Sequence, residues 1–312
     1  MFQILSGQTI IMFLMILVGY VIYKTHLADH EGNRSISNIL LLIVTPAMLL
    51  DTLTSMEYSP KILQGLAISI ALGFVSHFAA IAATSLLLRK KEDDPDSGME
   101  RYLAVYSNCG FMGIPLVSSV FGAEAVLYMT GYMIAFNVLI WTHGLIEVTG
   151  ETSLGQVVKG LLSPNVICTV IGIVIFALQI PIEAHVRSAI SYIGAMNTPL
   201  GMIVAGIVLA ETGLSGVLKK PKLWIVTMLK LFVAPAVTFA LLLLARNVVP
   251  MNDKIFYAIL IPAACPAATT GTMMALRYDK DFRFSSQVFV VSTLLSMITI
   301  PVVISAARAI AG

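Results

Sequence analysis

Ten apolar runs separated by short polar connections dominate this chain, near 8–23, 35–54, 62–88, 102–121 and 124–146, then near 164–180, 188–210, 223–245, 255–276 and 286–307. A helix of about 20 apolar residues crosses the hydrocarbon of a bilayer. Inside lipid the backbone has to satisfy its own hydrogen bonds, which a helix does. The pattern therefore predicts an all-α integral membrane protein of ten transmembrane helices. Composition points the same way, with 58% hydrophobic and 12% charged residues. That is about half the charge of an ordinary soluble domain, so lipid has to act as solvent for part of the surface. A formal net charge of +2, with no Lys/Arg-rich run interleaved with aromatics, leaves no footprint for nucleic acid.

Cys109, Cys168 and Cys265 all lie in apolar stretches. Their spacing fits no metal site and their odd number argues against a disulfide framework, so neither metal nor cofactor is expected. The first run has no basic residue before it and no small-residue cleavage site, and is read as a retained first helix.

Orientation follows from the distribution of Lys and Arg between alternate loops. Thirteen fall on one side, including Arg89, Lys90, Lys91, Lys159, Lys220 and Lys222. Five fall on the other (Lys61, Arg187, Arg246, Lys254 and Arg308), and Lys230 lies within a run. A multi-pass protein of the inner, cytoplasmic membrane is expected, with both termini extracytoplasmic. The two halves also resemble each other. Gly19-Tyr20-Val21-Ile22-Tyr23 matches Gly172-Ile173-Val174-Ile175-Phe176, Arg34-Ser35 matches Arg187-Ser188, and Thr45-Pro46 matches Thr198-Pro199, each pair 153 positions apart. Five spans are an odd number, so the second copy enters the membrane from the opposite face. The expected plan is a first repeat over 1–148, a short cytoplasmic linker over 149–162, and an inverted second repeat over 163–312. Inverted repeats of this kind build many secondary transporters.

The fourth and ninth runs contain helix breakers in mid-span. One reads Ser107-Asn108-Cys109-Gly110-Phe111-Met112-Gly113-Ile114-Pro115, the other Ile261-Pro262-Ala263-Ala264-Cys265-Pro266-Ala267-Ala268-Thr269-Thr270-Gly271. Pro115 and Pro266 are 151 apart, close to the repeat offset. Unwound backbone must be buried in protein or line a watery cavity, and a half-helix that restarts there presents N–H groups and partial positive charge. Two such ends meeting in mid-membrane favour an anion. The candidate substrate-binding residues are Asn108, Cys109, Gly110, Gly113, Pro115, Ala264, Cys265, Pro266 and Thr269, with Asn137 from the fifth run. The two cysteines are read as small packing residues, with no basic group beside them to support a nucleophile.

These motifs resemble the auxin efflux carrier family, which includes plant auxin exporters and bacterial carriers of malonate and related organic acids. Asn108 through Pro115 is similar to that family's first crossover. Leu200-Gly201-Met202 with Gly206 resembles its seventh helix, Lys230 with Pro235-Ala236-Val237 its eighth, and Pro266, Tyr278, Ser286 and Pro301 are spaced like its last two. The resemblance implies the fold of sodium/proton antiporters and bile-acid symporters, with a panel-like scaffold beside a transport domain whose broken helices cross. It also implies alternating access, an organic carboxylate substrate and a homodimer. Asn108 falls at the family's substrate-contacting asparagine and Asn137 at a polar contact of its fifth helix. The plant exporters carry a long loop between halves, whereas only about Thr149 to Leu162 intervenes here. That departure argues against auxin itself and against regulation through the loop.

Lys230 lies deep in the eighth run, roughly 12 Å along a helix. It is either a functional charge, replacing a coupling cation or neutralising substrate, or a snorkelling or structural lysine. His77 and His143 are open between proton relay and packing, and Asp51, Glu147 and Glu211 are read as interface residues near span ends. A secondary carrier of a small mono- or dicarboxylate, coupled to a proton or sodium ion, is the leading expectation. A receptor or channel for small anions is the alternative. An intramembrane enzyme would need a Gly-x-Ser-x-Gly, a His-Glu-x-x-His or paired catalytic carboxylates, which the sequence does not show.

Overall fold

The computed structural model describes residues 1–89, 94, 96–150, 155, 157–158, 162–213 and 217–311. Most of the 149–162 linker, and Lys90, Lys91 and Lys159 of the charge tally, lie outside the described residues. Among those described, every regular element is a helix. We number them α1 (Phe2–Lys24), α2 (His30–Thr54), α3 (Pro60–Leu87), α4 (Ser97–Val105), α5 (Cys109–Thr149), α6 (Pro164–Leu178), α7 (Ala184–Thr212), α8 (Pro221–Ala245), α9 (Asp253–Ala264), α10 (Thr269–Arg277) and α11 (Phe282–Ala311).

The polarity of the fold is that of a membrane protein. Ile10, Leu14 and Val21 of α1, Leu42 and Ile43 of α2, and Phe78 of α3 are exposed, while Ser69, Ser76, Ser285, Ser286, Gln287, Ser292 and Ser296 are buried. An apolar exterior over a hydroxyl-rich interior is stable only where lipid is the solvent. The chain is a multi-pass membrane protein.

Among the described residues, seven helices are long and apolar enough to cross a bilayer: α1, α2, α3, α5, α7, α8 and α11. That is fewer full-length spans than the expected ten, and four shorter helices lie beside them. α6 has 15 residues, and α4, α9 and α10 have 9, 12 and 9. α5, by contrast, runs for 41 residues, more than one crossing needs. It turns sharply at Gly122, whose φ of 75° and ψ of −172° lie outside helical space and suit only glycine. That turn falls between the fourth and fifth apolar runs.

Prolines shape the long helices without ending them. π-helical turns at Leu40–Val44, Cys109–Gly113 and Leu229–Val233 come just before Pro46, Pro115 and Pro235. Proline offers no N–H to the preceding turn and its ring needs room there, which a widened turn supplies. Thr198-Pro199 is handled differently: the chain turns at Met196 and restarts at Asn197. The expected likeness of the two Thr-Pro steps is therefore one of sequence, and the local backbones differ.

Small residues set the helix pairs. A Cβ on Gly19 would lie 2.1 Å from the Ile203 carbonyl oxygen, and one on Gly206 2.0 Å from that of Ile16, so α1 and α7 touch backbone to backbone. Gly172 of α6 admits the Leu53 side chain of α2, and Gly194 of α7 lies against the Met48 backbone of α2. α3 and α5 pack through Gly65, Gly73 and Gly131. These pairs hold the ends of α4, α5, α9 and α10 in the interior.

Candidate functional site

Two unwound stretches meet there. Tyr106, Ser107 and Asn108 join α4 to α5, and Cys265 to Ala268 join α9 to α10. They run antiparallel. The Asn108 N–H donates to the Pro266 carbonyl (2.8 Å) and the Ala268 N–H to the Tyr106 carbonyl (3.0 Å), on either side of a bridge between Ser107 and Ala267. The Ala267 N–H donates to Ser292 Oγ on α11 (3.1 Å). Peptide groups that no helix satisfies are thus satisfied by one another, as a water-poor interior requires.

The first unwound stretch is shorter than the sequence suggested. The glycines and proline led us to expect a break through Asn108–Pro115, but Cys109–Gly113 form a π turn and Pro115 sits in the first turn of the regular helix beyond it. The widened turn before it gives the Pro115 ring the room it needs. The second stretch does contain its proline, Pro266. Pro115 and Pro266 are therefore near the repeat offset in sequence but not equivalent in backbone.

Four helix ends converge at the meeting point. α4 and α9 end there, at Val105 and Ala264, and present the partly negative carbonyl ends of their dipoles. Lys230, carried on the π turn of α8, is fully buried against those ends. Its ammonium donates to Ser107 Oγ (2.5 Å), the Val105 carbonyl (3.2 Å) and the Ala263 carbonyl (3.3 Å). α5 and α10 begin there, at Cys109 and Thr269, and present N–H groups and partial positive charge. Asn108 and Thr269 are both buried beside these starts, and neither Asn108 Nδ2 nor Thr269 Oγ1 has a hydrogen-bond partner among the described residues. Buried donors without partners are uncommon and call for an explanation. A hydrogen-bond acceptor placed between them would satisfy both.

Most of the sequence candidates gather here. Cys109 and Gly110 form the start of α5, Ala264 the end of α9, and Cys265 and Pro266 the second unwound stretch. A Cβ on Gly113 would lie 2.7 Å from the terminal methyl of Met129 on α5 and in ordinary contact with Pro262 (3.5 Å) and Cys265 Sγ (3.6 Å), which places Gly113 beside α9 and the second unwound stretch. Asn137 is placed differently. Its carboxamide donates to the Met133 carbonyl of its own helix (2.9 Å) and borders a cavity of about 60 Å³ with Val166, Thr169 and Val170 of α6. Met133 in turn reaches the start of α5, its terminal methyl lying 3.5 Å from where Gly110 would carry a Cβ.

Sequence reasoning missed Asn197 and Ser107. Asn197 Nδ2 donates to the Gly110 carbonyl (3.0 Å), and Thr45 Oγ1 donates to Asn197 Oδ1 (2.9 Å). Ser107 adjoins a flagged residue and could have been found from its place beside Asn108. The two histidines also find their settings. His77 Nδ1 donates to the Gly73 carbonyl (2.7 Å) with its ring 4.4 Å from that of Tyr132, whereas Nε2 is buried and unpartnered. His143 lies between Tyr106 Oη (3.1 Å) and Glu147 (3.4 Å), and Glu147 pairs with Arg101 (3.0 Å).

The chain also matches known proteins along most of its length. The model of the membrane transport protein family matches the chain in two segments, residues 4–155 and 152–304. An uncharacterized transporter of Methanothermobacter thermautotrophicus is 21% identical over 307 residues, which cover 95% of this chain and 96% of that protein. An uncharacterized transporter of Methanocaldococcus jannaschii is 22% identical over 303 residues, covering 93% and 95%.

Proposed function

Because the chain belongs to the membrane transport protein family, and so bears out its likeness to the auxin efflux carriers, we propose that it is a secondary carrier moving a small mono- or dicarboxylate across the cytoplasmic membrane by alternating access. The observation that carries this is the pair of unwound stretches joined at Ser107 and Ala267, with two helix starts and the unpartnered donors Asn108 Nδ2 and Thr269 Oγ1 beside them. A carboxylate held there would take N–H groups from both helix starts, the geometry of an anion site built from broken helices.

The inverted ten-span plan belongs to the same proposal. α4 with the first part of α5 counts as one broken span, the rest of α5 beyond Gly122 as the next, and α9 with α10 as another. Gly19 of α1 packs on α7, while its counterpart Gly172 of α6 packs on α2, as two copies related by a two-fold axis would. In this plan α1, α2, α6 and α7 form the scaffold and the remaining helices form the moving domain. Both termini are extracytoplasmic and the carrier is a homodimer.

Lys230 supplies the charge balance. Its ammonium sits between two carbonyl ends that would otherwise attract a free cation. Coupling in this scheme runs through a proton, or through no ion, and does not need sodium. Asn137 serves as an outer polar contact of the same site.

Counterflow in proteoliposomes tests the proposal. Unlabelled malonate or succinate inside should accelerate uptake of the labelled acid, which neither a receptor nor a channel would show. Absence of exchange across a panel of short mono- and dicarboxylates would sink it. A thermal-shift screen of the purified protein against the same panel identifies the acid.

A further inference from the structure

The carbonyl of Gly110 is an unusual acceptor. In a π turn, a carbonyl at this position would take the N–H five residues on. That residue is Pro115, which has none. Asn197 meets the deficit from outside, donating Nδ2 to the Gly110 oxygen at 3.0 Å. Its other end is fixed, since Oδ1 accepts from Thr45 Oγ1 of α2 at 2.9 Å, and the side chain is buried. One turn further along the same face of α7, Gly201 leaves room for Phe111, for a Cβ there would lie 2.7 Å from the Phe111 ring. α7 is itself bound to α1 and α2 through Gly206 and Gly194. The packed group of α1, α2 and α7 therefore touches the start of α5 at two adjacent points, one polar and one steric.

We propose that Asn197 is the positioning residue through which this group grips the substrate site. Its carboxamide sets the first turn of α5, and releasing the Gly110 carbonyl is the step that opens the site. The proposal rests on the carrier function above and adds to it the contact that has to break. The polar point is the selective one. A hydrogen bond to a single carbonyl is lost within a small displacement, whereas the apolar contact of Phe111 with α7 can slide.

The test uses the full-length protein in proteoliposomes and its own Cys109, the buried first residue of α5. A charged, membrane-impermeant maleimide is applied, and modification is read by peptide mapping, with half-buried Cys168 as the control for global loosening. Asn197→Ala and Asn197→Asp should each speed modification of Cys109 about three- to tenfold, the weight of one buried hydrogen bond, and leave Cys168 unchanged. The aspartate keeps the bond from Thr45 but has nothing to donate to Gly110.

Adding Pro115→Ala to Asn197→Ala separates grip from mere support, because the new N–H satisfies the Gly110 carbonyl within the helix. The melting temperature should recover in the double variant while Cys109 stays fast. Cys109 returning to its native rate along with the melting temperature would overturn the proposal, as would a native rate in both single variants. Counterflow of malonate or succinate is measured alongside. Faster Cys109 labelling without counterflow of any acid would uphold the contact and overturn the carrier function.

Discussion

Replacing Lys230 by methionine removes one charge from the centre of the molecule and keeps most of the side-chain volume. The ammonium contacts the Val105 carbonyl, Ser107 Oγ and the Ala263 carbonyl. Without it each of these groups has one partner fewer, at a cost of about 1–3 kcal/mol for any left wholly unpaired. The same change removes a buried ion, whose desolvation costs several kcal/mol. The two effects oppose each other, so the melting temperature of K230M should stay within about 5 °C of the native value. Binding has no such compensation. Asn108 directly follows Ser107, which the ammonium contacts, and a separation of about 7 Å is taken between the ammonium and an anion held on Asn108 Nδ2. At an effective dielectric of about 20 that separation is worth about 2.4 kcal/mol per negative charge, or roughly fifty-fold in Kd. Thermal-shift titration with the acid found by screening measures the affinity, and counterflow measures transport. K230R keeps the charge and should bind within about one order of magnitude of native. A folded K230M protein that binds the acid within about threefold of native, or exchanges it at the native rate, would refute this electrostatic role.

Other expectations follow from the same geometry. Asn108→Ala should weaken acid binding roughly tenfold in the same titration, and Asn108→Asp more, since it sets a carboxylate against the substrate. Asn137→Ala should cost less affinity than Asn108→Ala, because its carboxamide already donates to the Met133 carbonyl. An equal or larger loss would move the substrate toward α6. Gly19→Ala should destabilise the protein by about 1–3 kcal/mol, because the new methyl meets the Ile203 carbonyl, whereas Gly7→Ala has open space around it and should be neutral in a thermal-shift assay. Alkaline phosphatase fused to the C-terminus should be active, since that end is assigned to the extracytoplasmic side, and an inactive fusion with intact expression would reverse the topology.

What the sequence made legible was what depends on local chemistry. Apolar runs located the long helices to within a few residues, and the gap between the fourth and fifth runs fell at the Gly122 turn. A lysine in an apolar run could be singled out because so few partners can hold it there. Breakers marked both unwound stretches but misplaced the extent of the first. Proline and glycine say that a regular helix is disfavoured, not whether the chain unwinds, widens into a π turn or simply begins a helix. At Cys109–Pro115 it does the latter two. Asn197 was hidden for another reason. It lies 87 positions from Gly110 and 152 from Thr45, so its partners exist only once three helices are packed.

The joint at Ser107 and Ala267 is made almost wholly of main-chain atoms. Every residue but proline carries both an N–H and a C=O, so Tyr106, Ser107, Ala267 and Ala268 can change identity without giving up the hydrogen bonds that join the two stretches. The side chains that would face a cargo are thereby uncoupled from the groups that hold the machine together. Under the proposed function, a few substitutions at the helix starts exchange one acid for another and leave the joint intact.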